Sequence, residues 1–195
     1  MENAEEIQDI PVLFFIDDKE WEQWLGKHFL APKGVWLKFA KKDTGVESLH
    51  YKEALDVALC YGWIDGLSRR IDETYYVQKF TPRRKQSLWS KVNIGHVERL
   101  IAAGRMQPSG QAAIDAAKAD GRWEQAYEGQ KAASIPPELE TALAAHPQAK
   151  AFFGTLKSAD RYACIWRVAT AKRSETKAAR IEKIITMLEN GQTFH

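Results

Sequence analysis

The pattern of the sequence changes near residue 91, and this change limits the folds that the chain can adopt. Short β-branched and aromatic runs of strand length, such as residues 35–39, occur within the first eighty residues. From Lys91 onward, apolar residues recur at the spacing of amphipathic helices. We therefore predict an α+β protein with a small antiparallel sheet of about three to four strands packed with helices, followed by an all-helical part.

Local signals predict where individual elements begin and end. Asp17 and Glu20 form an N-cap and capping-box pair that should open a helix, and Gly62 has the position of a helix stop. The expected elements of the first part are a helix from Asp17 to near Pro32, a strand at 35–39, a helix at 51–61 and a hairpin or meander at 63–80. Helices are expected at 92–103, 110–120, 148–156, 158–171 and 174–189, with a further helix start at Pro136 and Pro137. A linker-like stretch at 130–134 divides a mixed α/β domain, residues 1–130, from a helical C-terminal module, residues 131–195.

The composition predicts an ordered globular protein in a reducing compartment. The chain has 195 residues, 45% of them hydrophobic, and no run of apolar residues long enough to span a membrane. Residues 2–9 are acidic and lack the pattern of a secretory signal. Cys60 and Cys164 lie in apolar helical patterns, which favours buried reduced thiols. We expect a cytoplasmic protein without membrane insertion.

Charge is distributed unevenly along the chain. Residues 67–105 carry nine Lys or Arg against three acids, a net charge of +6, whereas residues 1–66 carry a net charge of −6. Such a local excess attracts phosphate, carboxylate or nucleic acid, although many charged runs are only solvated surface.

Several short motifs stand in order across this region and continue to the end of the chain. They are Tyr51, Glu53, Ala54 and residues 58–66, then residues 80–84, Ser87, Trp89, Ser90 and Asn93, and, within 135–191, Phe152, Phe153, Tyr162, Trp166, Ala171, Lys172, Glu175, Thr176, Arg180, Ile181 and Gly191. Together they resemble the bacterial YdeI/OmpD-associated proteins. The resemblance implies a link to bacteriocin protection, antimicrobial-peptide resistance or an outer-membrane porin, without a known reaction or cofactor. Lys177 departs from the family, whose members often carry Arg there.

Asp65 is the candidate catalytic residue. It lies between Gly62 and Gly66, where glycines tolerate a tight corner that would present a carboxylate. The alternative interpretation is that Gly62 caps a helix and Asp65 only accepts hydrogen bonds from nearby backbone.

Residues 80–93 form the candidate ligand-binding element. Guanidinium groups bind phosphate or carboxylate oxygens in pairs, Ser and Asn add hydrogen bonds, and an indole offers a stacking plate. The residues that we expect to bind ligand are Arg83, Arg84, Ser87, Trp89, Ser90 and Asn93. Alternatively, Ser90 caps the helix at Lys91 and Trp89 belongs to the core.

Three functions therefore remain open: a binding or stress-protection protein for an anionic small molecule, an enzyme that uses Asp65 as acid or base with Arg83 and Ser87 as anchors, and a nucleic-acid module. The last is the least favoured, because the basic surface is narrow for a nucleic-acid binder. The sequence predicts no cofactor and no metal site, and it leaves the oligomeric state and a protein partner open.

Overall fold

The computed structural model describes residues 5–194, which form four strands and eight helices. Their bounds are β1 Val12–Phe14, α1 Asp18–His28, β2 Val35–Ala40, α2 Tyr51–Cys60, β3 Trp63–Arg70, β4 Tyr75–Pro82, α3 Lys91–Ala102, α4 Pro108–Ala119, α5 Pro137–Ala145, α6 Pro147–Thr155, α7 Ser158–Ala169 and α8 Ser174–Glu189. The α+β class is confirmed.

Two compact units divide the chain. The first contains the described residues up to Trp89 together with Asn93–Gln125, and the second contains Ser90–Val92 together with the described residues from Ala126 onward. The sheet, α1, α2 and α4 belong to the first unit, and α5 to α8 belong to the second. The division into domains at residues 130 and 131 stays a prediction, because compactness alone does not show that either part folds independently.

The sheet has the strand order β1-β2-β4-β3. β4 pairs antiparallel with both β2 and β3, whereas β1 pairs parallel with β2. The prediction of a purely antiparallel sheet is therefore wrong for β1. A strand of three residues is too short to show an alternating pattern in the sequence, and α1 provides the crossover connection that a parallel pair requires.

The first helix begins as its sequence predicts. The Asp17 side chain accepts a hydrogen bond of 2.9 Å from the backbone N–H of Glu20. The Glu20 carboxylate in turn accepts one of 2.9 Å from the N–H of Ile16. Both bonds satisfy donors near the helix start, so α1 has a fixed origin and its buried stripe of Trp21 and Leu25 faces the core.

Aromatic rings form the centre of the first unit. Trp21 contacts Trp63 and Phe80 edge to face, with centroids 6.1 Å apart in both pairs. The buried indoles also find acceptors, because Trp21 donates to the Ala54 carbonyl at 3.1 Å and Trp63 donates to the Phe29 carbonyl at 2.8 Å. The second of these bonds holds the residue that follows α1 against β3.

Gly34 allows the α1–β2 connection to lie directly against the end of β4. Its φ is +72°, and a Cβ atom at this position would overlap the carbonyl oxygen of Phe80 and the backbone of Thr81. Only glycine combines this dihedral with such a close approach. The contact therefore fixes the path of the preceding residues, including Leu30 and Lys33.

The second unit is a helical cluster with its own apolar interior. Leu139 and Leu143 of α5, Phe153 of α6, Val168 of α7 and Leu188 of α8 pack together. Helix α8 begins and ends at the residues that the sequence predicts. Ordinary amphipathic periodicity is thus sufficient to locate these helices.

We predict that Gly34→Ala lowers the free energy of unfolding by about 3 kcal/mol, because positive φ and a backbone overlap both oppose a methyl group. Gly45→Ala is the matched control, since Gly45 has the same φ of +72° but nothing within 4 Å of the added Cβ. Its loss should be only about 1–2 kcal/mol, the cost of the dihedral alone. Urea denaturation of both variants measures the difference, and equal losses would contradict the close approach.

Candidate anion-binding cavity

A cavity of about 560 Å³ opens in the first unit at the end of β4. It is lined by Ile10, Phe29, Leu30, Pro32, Lys33, Lys79, Thr81, Pro82, Arg83 and Arg84. We call it the basic cavity, because four of these residues are Lys or Arg and no described residue that lines it is acidic.

Two parts of the first unit supply the cations. Lys79 lies on β4 and Thr81 follows it two residues later, so both side chains point to the same face of the sheet. Arg83 and Arg84 come directly after β4, whereas Lys33 comes from the α1–β2 connection. The close approach at Gly34 brings this connection to the end of β4, so distant parts of the sequence meet around one volume.

Arg83 is held in place from three directions. Its backbone N–H donates to the Gly62 carbonyl at 2.9 Å. Its Nη1 donates to the Leu88 carbonyl at 3.1 Å, and its guanidinium lies over the Trp89 ring, 3.6 Å from the centroid. The Nε and Nη2 atoms of Arg83 are buried, so the stacking and the hydrogen bond make this side chain a support of the cavity wall.

Arg84 is exposed, and Ser87 shapes the loop that presents it. The Ser87 hydroxyl accepts a hydrogen bond of 2.9 Å from the Arg84 backbone N–H, and the Ser87 N–H donates to the Arg84 carbonyl, also at 2.9 Å. Both bonds use the main chain of Arg84. The Arg84 side chain takes no part in these two bonds and lines the cavity. Ser87 closes the turn but does not itself line the cavity.

Trp89 is part of the core. Its side chain is 2% exposed, and its ring lies 4.9 Å from that of Trp123 between centroids. One face of the indole carries the Arg83 guanidinium. The structure thus places Trp89 as the support of Arg83, in agreement with the alternative that this tryptophan belongs to the core.

Arg122 is a supporting residue that the sequence reasoning missed. Its Nε donates to both carboxylate oxygens of Asp120, at 2.8 and 2.7 Å, and its Nη1 donates to the Ser87 carbonyl at 2.9 Å. The Arg122 side chain is buried, so its hydrogen bond to the Ser87 carbonyl ties the loop at residues 84–87 to the interior. A lone arginine 35 residues further along the chain gives no sequence signal for such a contact.

Ser90 and Asn93 are not part of the lining of the basic cavity. Ser90 belongs to the second unit, is buried, and forms a parallel bridge with Tyr127. Asn93 belongs to the first unit and lies in the first turn of α3. Neither residue lines the cavity. Of the six predicted ligand-binding residues, the structure brings Arg83 and Arg84 to its wall.

Asp65 lies on β3 opposite Phe80 and is paired with a tyrosine. Its carboxylate accepts a hydrogen bond of 2.8 Å from the hydroxyl of Tyr51, the first residue of α2. Burial, followed by the negative charge of Asp65, raises the pKa of Tyr51 above its ordinary value. Asp65 is not among the residues that line the basic cavity. Its carboxylate instead accepts a hydrogen bond from the neutral phenol of Tyr51.

Cysteine and metal chemistry receive no support from the described residues. Cys60 and Cys164 are free and buried, as predicted, and burial raises the pKa of each thiol to about 11. A thiol with such a pKa is a poor nucleophile at neutral pH. Among residues 5–194, no group of three or more His, Cys, Asp and Glu side chains has the arrangement of a metal site.

The second unit contains another cavity with basic residues. It has a volume of about 420 Å³ at the start of α8, and Lys172, Arg173 and Lys177 line it together with Glu138. Lys177 donates to the Glu138 carboxylate at 2.6 Å, which lowers the pKa of Glu138. One of its three cations is therefore neutralised within the cavity, whereas the lining of the basic cavity contains no described acid.

We predict that Tyr51→Phe lowers the free energy of unfolding by about 1 kcal/mol at neutral pH, because the carboxylate of Asp65 loses a donor. The raised pKa means that the folded state retains the Tyr51 proton more tightly than the unfolded state. Tyr51 therefore stabilises the fold below its ordinary pKa of 10.0, and this contribution is lost as the pH rises above that value. The stability difference between wild type and variant should shrink above pH 10.0 in urea denaturation. A difference that is independent of pH would contradict the pairing.

Two family models match the chain. Residues 13–113 match the family model of a domain of unknown function (DUF8412), and residues 132–191 match the model described as Bacteriocin-protection, YdeI or OmpD-Associated. No curated protein and no solved structure matches the chain. Within residues 5–194, no helix combines the length and apolarity needed to cross a membrane.

The two family matches cover separate parts of the chain, and the first is the longer. The first covers just over half of the 195 residues and contains every residue of the basic cavity except Ile10. The second confirms the YdeI/OmpD-associated resemblance for the C-terminal region, whereas the motifs at 51–93 fall within the first match. The chain therefore belongs to the DUF8412 family and carries a C-terminal segment of the YdeI/OmpD-associated type.

Proposed function

We propose that this protein binds an anionic small molecule in the basic cavity. The observation that carries the proposal is the convergence of Lys33, Lys79, Arg83 and Arg84 on one volume of about 560 Å³ whose described lining contains no acid. Ligand sites for small molecules commonly have volumes of this order.

The chemistry of the lining fits an oxyanion. The forked guanidinium group of Arg84 matches the oxygens of phosphate or carboxylate, Lys33 and Lys79 add positive charge, and Thr81 adds a hydroxyl. Lys33, Lys79 and Arg84 bring positive charge to one wall, and a bound anion would lower their mutual repulsion. Because Leu88 and Trp89 hold Arg83, the main chain that leads to Arg84 is anchored before a ligand binds.

The family description of residues 132–191 supports a connection with protection against antimicrobial agents, which we include in the proposal as a stress or resistance role. The two buried, free thiols suit a reducing cytoplasm.

The other two functions receive less support. A nucleic-acid module would need open aromatic faces, and Phe80 and Trp89 are buried. An enzyme that uses Asp65 with Arg83 and Ser87 would need all three at one site, and only Arg83 lines the basic cavity. The anion-binding function is therefore the one that the geometry supports best.

We predict that pyrophosphate raises the melting temperature of the wild-type protein and that Arg84→Ala weakens its binding roughly tenfold, because one charge-assisted contact is lost. Lys85→Ala is the matched control, since Lys85 is the exposed neighbour of Arg84 and lies outside the cavity lining. It removes the same charge and should leave the affinity within about twofold. Differential scanning fluorimetry and calorimetric titration at constant ionic strength provide the measurements.

The alanine variant at position 84 retains both main-chain bonds to Ser87, so the turn itself should survive. If pyrophosphate does not bind the wild-type protein, or if the two variants lose affinity equally, the proposed site is wrong.

A further inference from the structure

The wall of the basic cavity is divided between charge and apolar surface. Beside its four cations and Thr81, it presents Ile10, Phe29, Leu30, Pro32 and Pro82. We infer that the ligand is a phosphate monoester whose organic part is an apolar aromatic or aliphatic group. The inference rests on the proposed function and specifies the ligand of the same site.

The apolar part of the inference depends on the residues that follow α1. Leu30 is 79% exposed, yet it lines the cavity next to Pro32 and Lys33. Phe29 precedes it in the chain and also lines the cavity, and the Phe29 carbonyl accepts a hydrogen bond from the Trp63 indole. A ligand with an apolar group would cover Leu30 and remove that surface from water, a gain that inorganic phosphate cannot provide.

The choice of phosphate over carboxylate follows from the number of cations. A phosphate monoester carries a charge of about −1.5 to −2 at neutral pH and three strong acceptor oxygens, whereas a carboxylate carries one charge. Lys33, Lys79 and Arg84 line the wall without a described acid beside them, and a dianion offsets their charge better than a monoanion. The guanidinium of Arg84 and the ammonium groups of Lys33 and Lys79 also supply donors for several oxygens at once.

Calorimetric titrations with inorganic phosphate, phenyl phosphate and benzoate at constant ionic strength test the inference. Phenyl phosphate should bind roughly tenfold more tightly than inorganic phosphate, because its ring buries apolar surface. It should also bind more tightly than benzoate, which has the ring but less charge.

Leu30→Ser should reduce the affinity for phenyl phosphate by roughly threefold or more, and the affinity for inorganic phosphate by clearly less. Leu67→Ser is the matched control, because Leu67 is also an exposed leucine, 66% accessible, and lies on β3 outside the cavity lining. This control should bind both phosphates like the wild-type protein.

The outcomes separate the inference from the proposed function. If both phosphates bind equally well, in an Arg84-dependent manner and without an effect of Leu30→Ser, the anion site stands and the apolar group is wrong. If benzoate binds as tightly as phenyl phosphate, the preference for a phosphate monoester is wrong. If no phosphate binds, the inference and the proposed function both fail.

Phosphate monoesters with apolar groups occur as soluble compounds and as the lipid phosphatidic acid. Sedimentation with vesicles that contain phosphatidic acid, compared with phosphatidylcholine alone, distinguishes these sources. Sedimentation that is lost in Leu30→Ser and Arg84→Ala would identify the lipid, whereas phenyl phosphate binding without sedimentation would identify a soluble ligand. Both results support the inferred chemistry, and sedimentation that is unchanged in the two variants together with no binding of phenyl phosphate would overturn it.

Discussion

The approach of Gly34 to the backbone at Phe80 and Thr81 is the contact on which the rest of the candidate site depends. It places the connection that carries Leu30 and Lys33 against the end of β4, where the arginines follow. The Trp63 indole bonded to the Phe29 carbonyl secures the same connection from the β3 side. Backbone packing that tolerates only glycine thus converts two separate stretches of sequence into one cavity wall.

Electrostatics gives this wall its character. Like charges around one volume oppose folding unless other contacts hold them, and here Arg83 is fixed by Trp89 and Leu88 while Arg122 braces the loop below Arg84. Ring stacking and hydrogen bonds thus hold the loop that brings these basic residues to the cavity.

The sequence reveals elements whose signals are local. Asp17 and Glu20 predict the start of α1, and the periodicity of residues 174–189 predicts α8, because capping and amphipathicity act within a few residues. Strand β1 escaped prediction, since three residues show no period and their parallel partner lies beyond a helix.

The sequence indicates only those residues of the basic cavity that are neighbours in the chain. Arg83 and Arg84 are neighbours in the sequence and were found as a basic run, whereas Lys33 joins them only through the contact at Gly34, some fifty residues away. The sequence also favoured Trp89 as a ligand plate, but Trp123 and Arg83 cover its ring. Asp65 turned out to be bound to Tyr51, a pairing between a helix start and a strand that no local pattern indicates.

The most direct test of the account is a map of the residues that respond to an anion. Backbone ¹H–¹⁵N spectra of the full chain, titrated with inorganic phosphate at constant ionic strength, would provide it. The account predicts that saturable shifts concentrate at Lys33, Gly34 and residues 79–84. Shifts that concentrate at residues 172–177, or that spread without saturation over the basic surface, would contradict the claim that the basic cavity is the binding site.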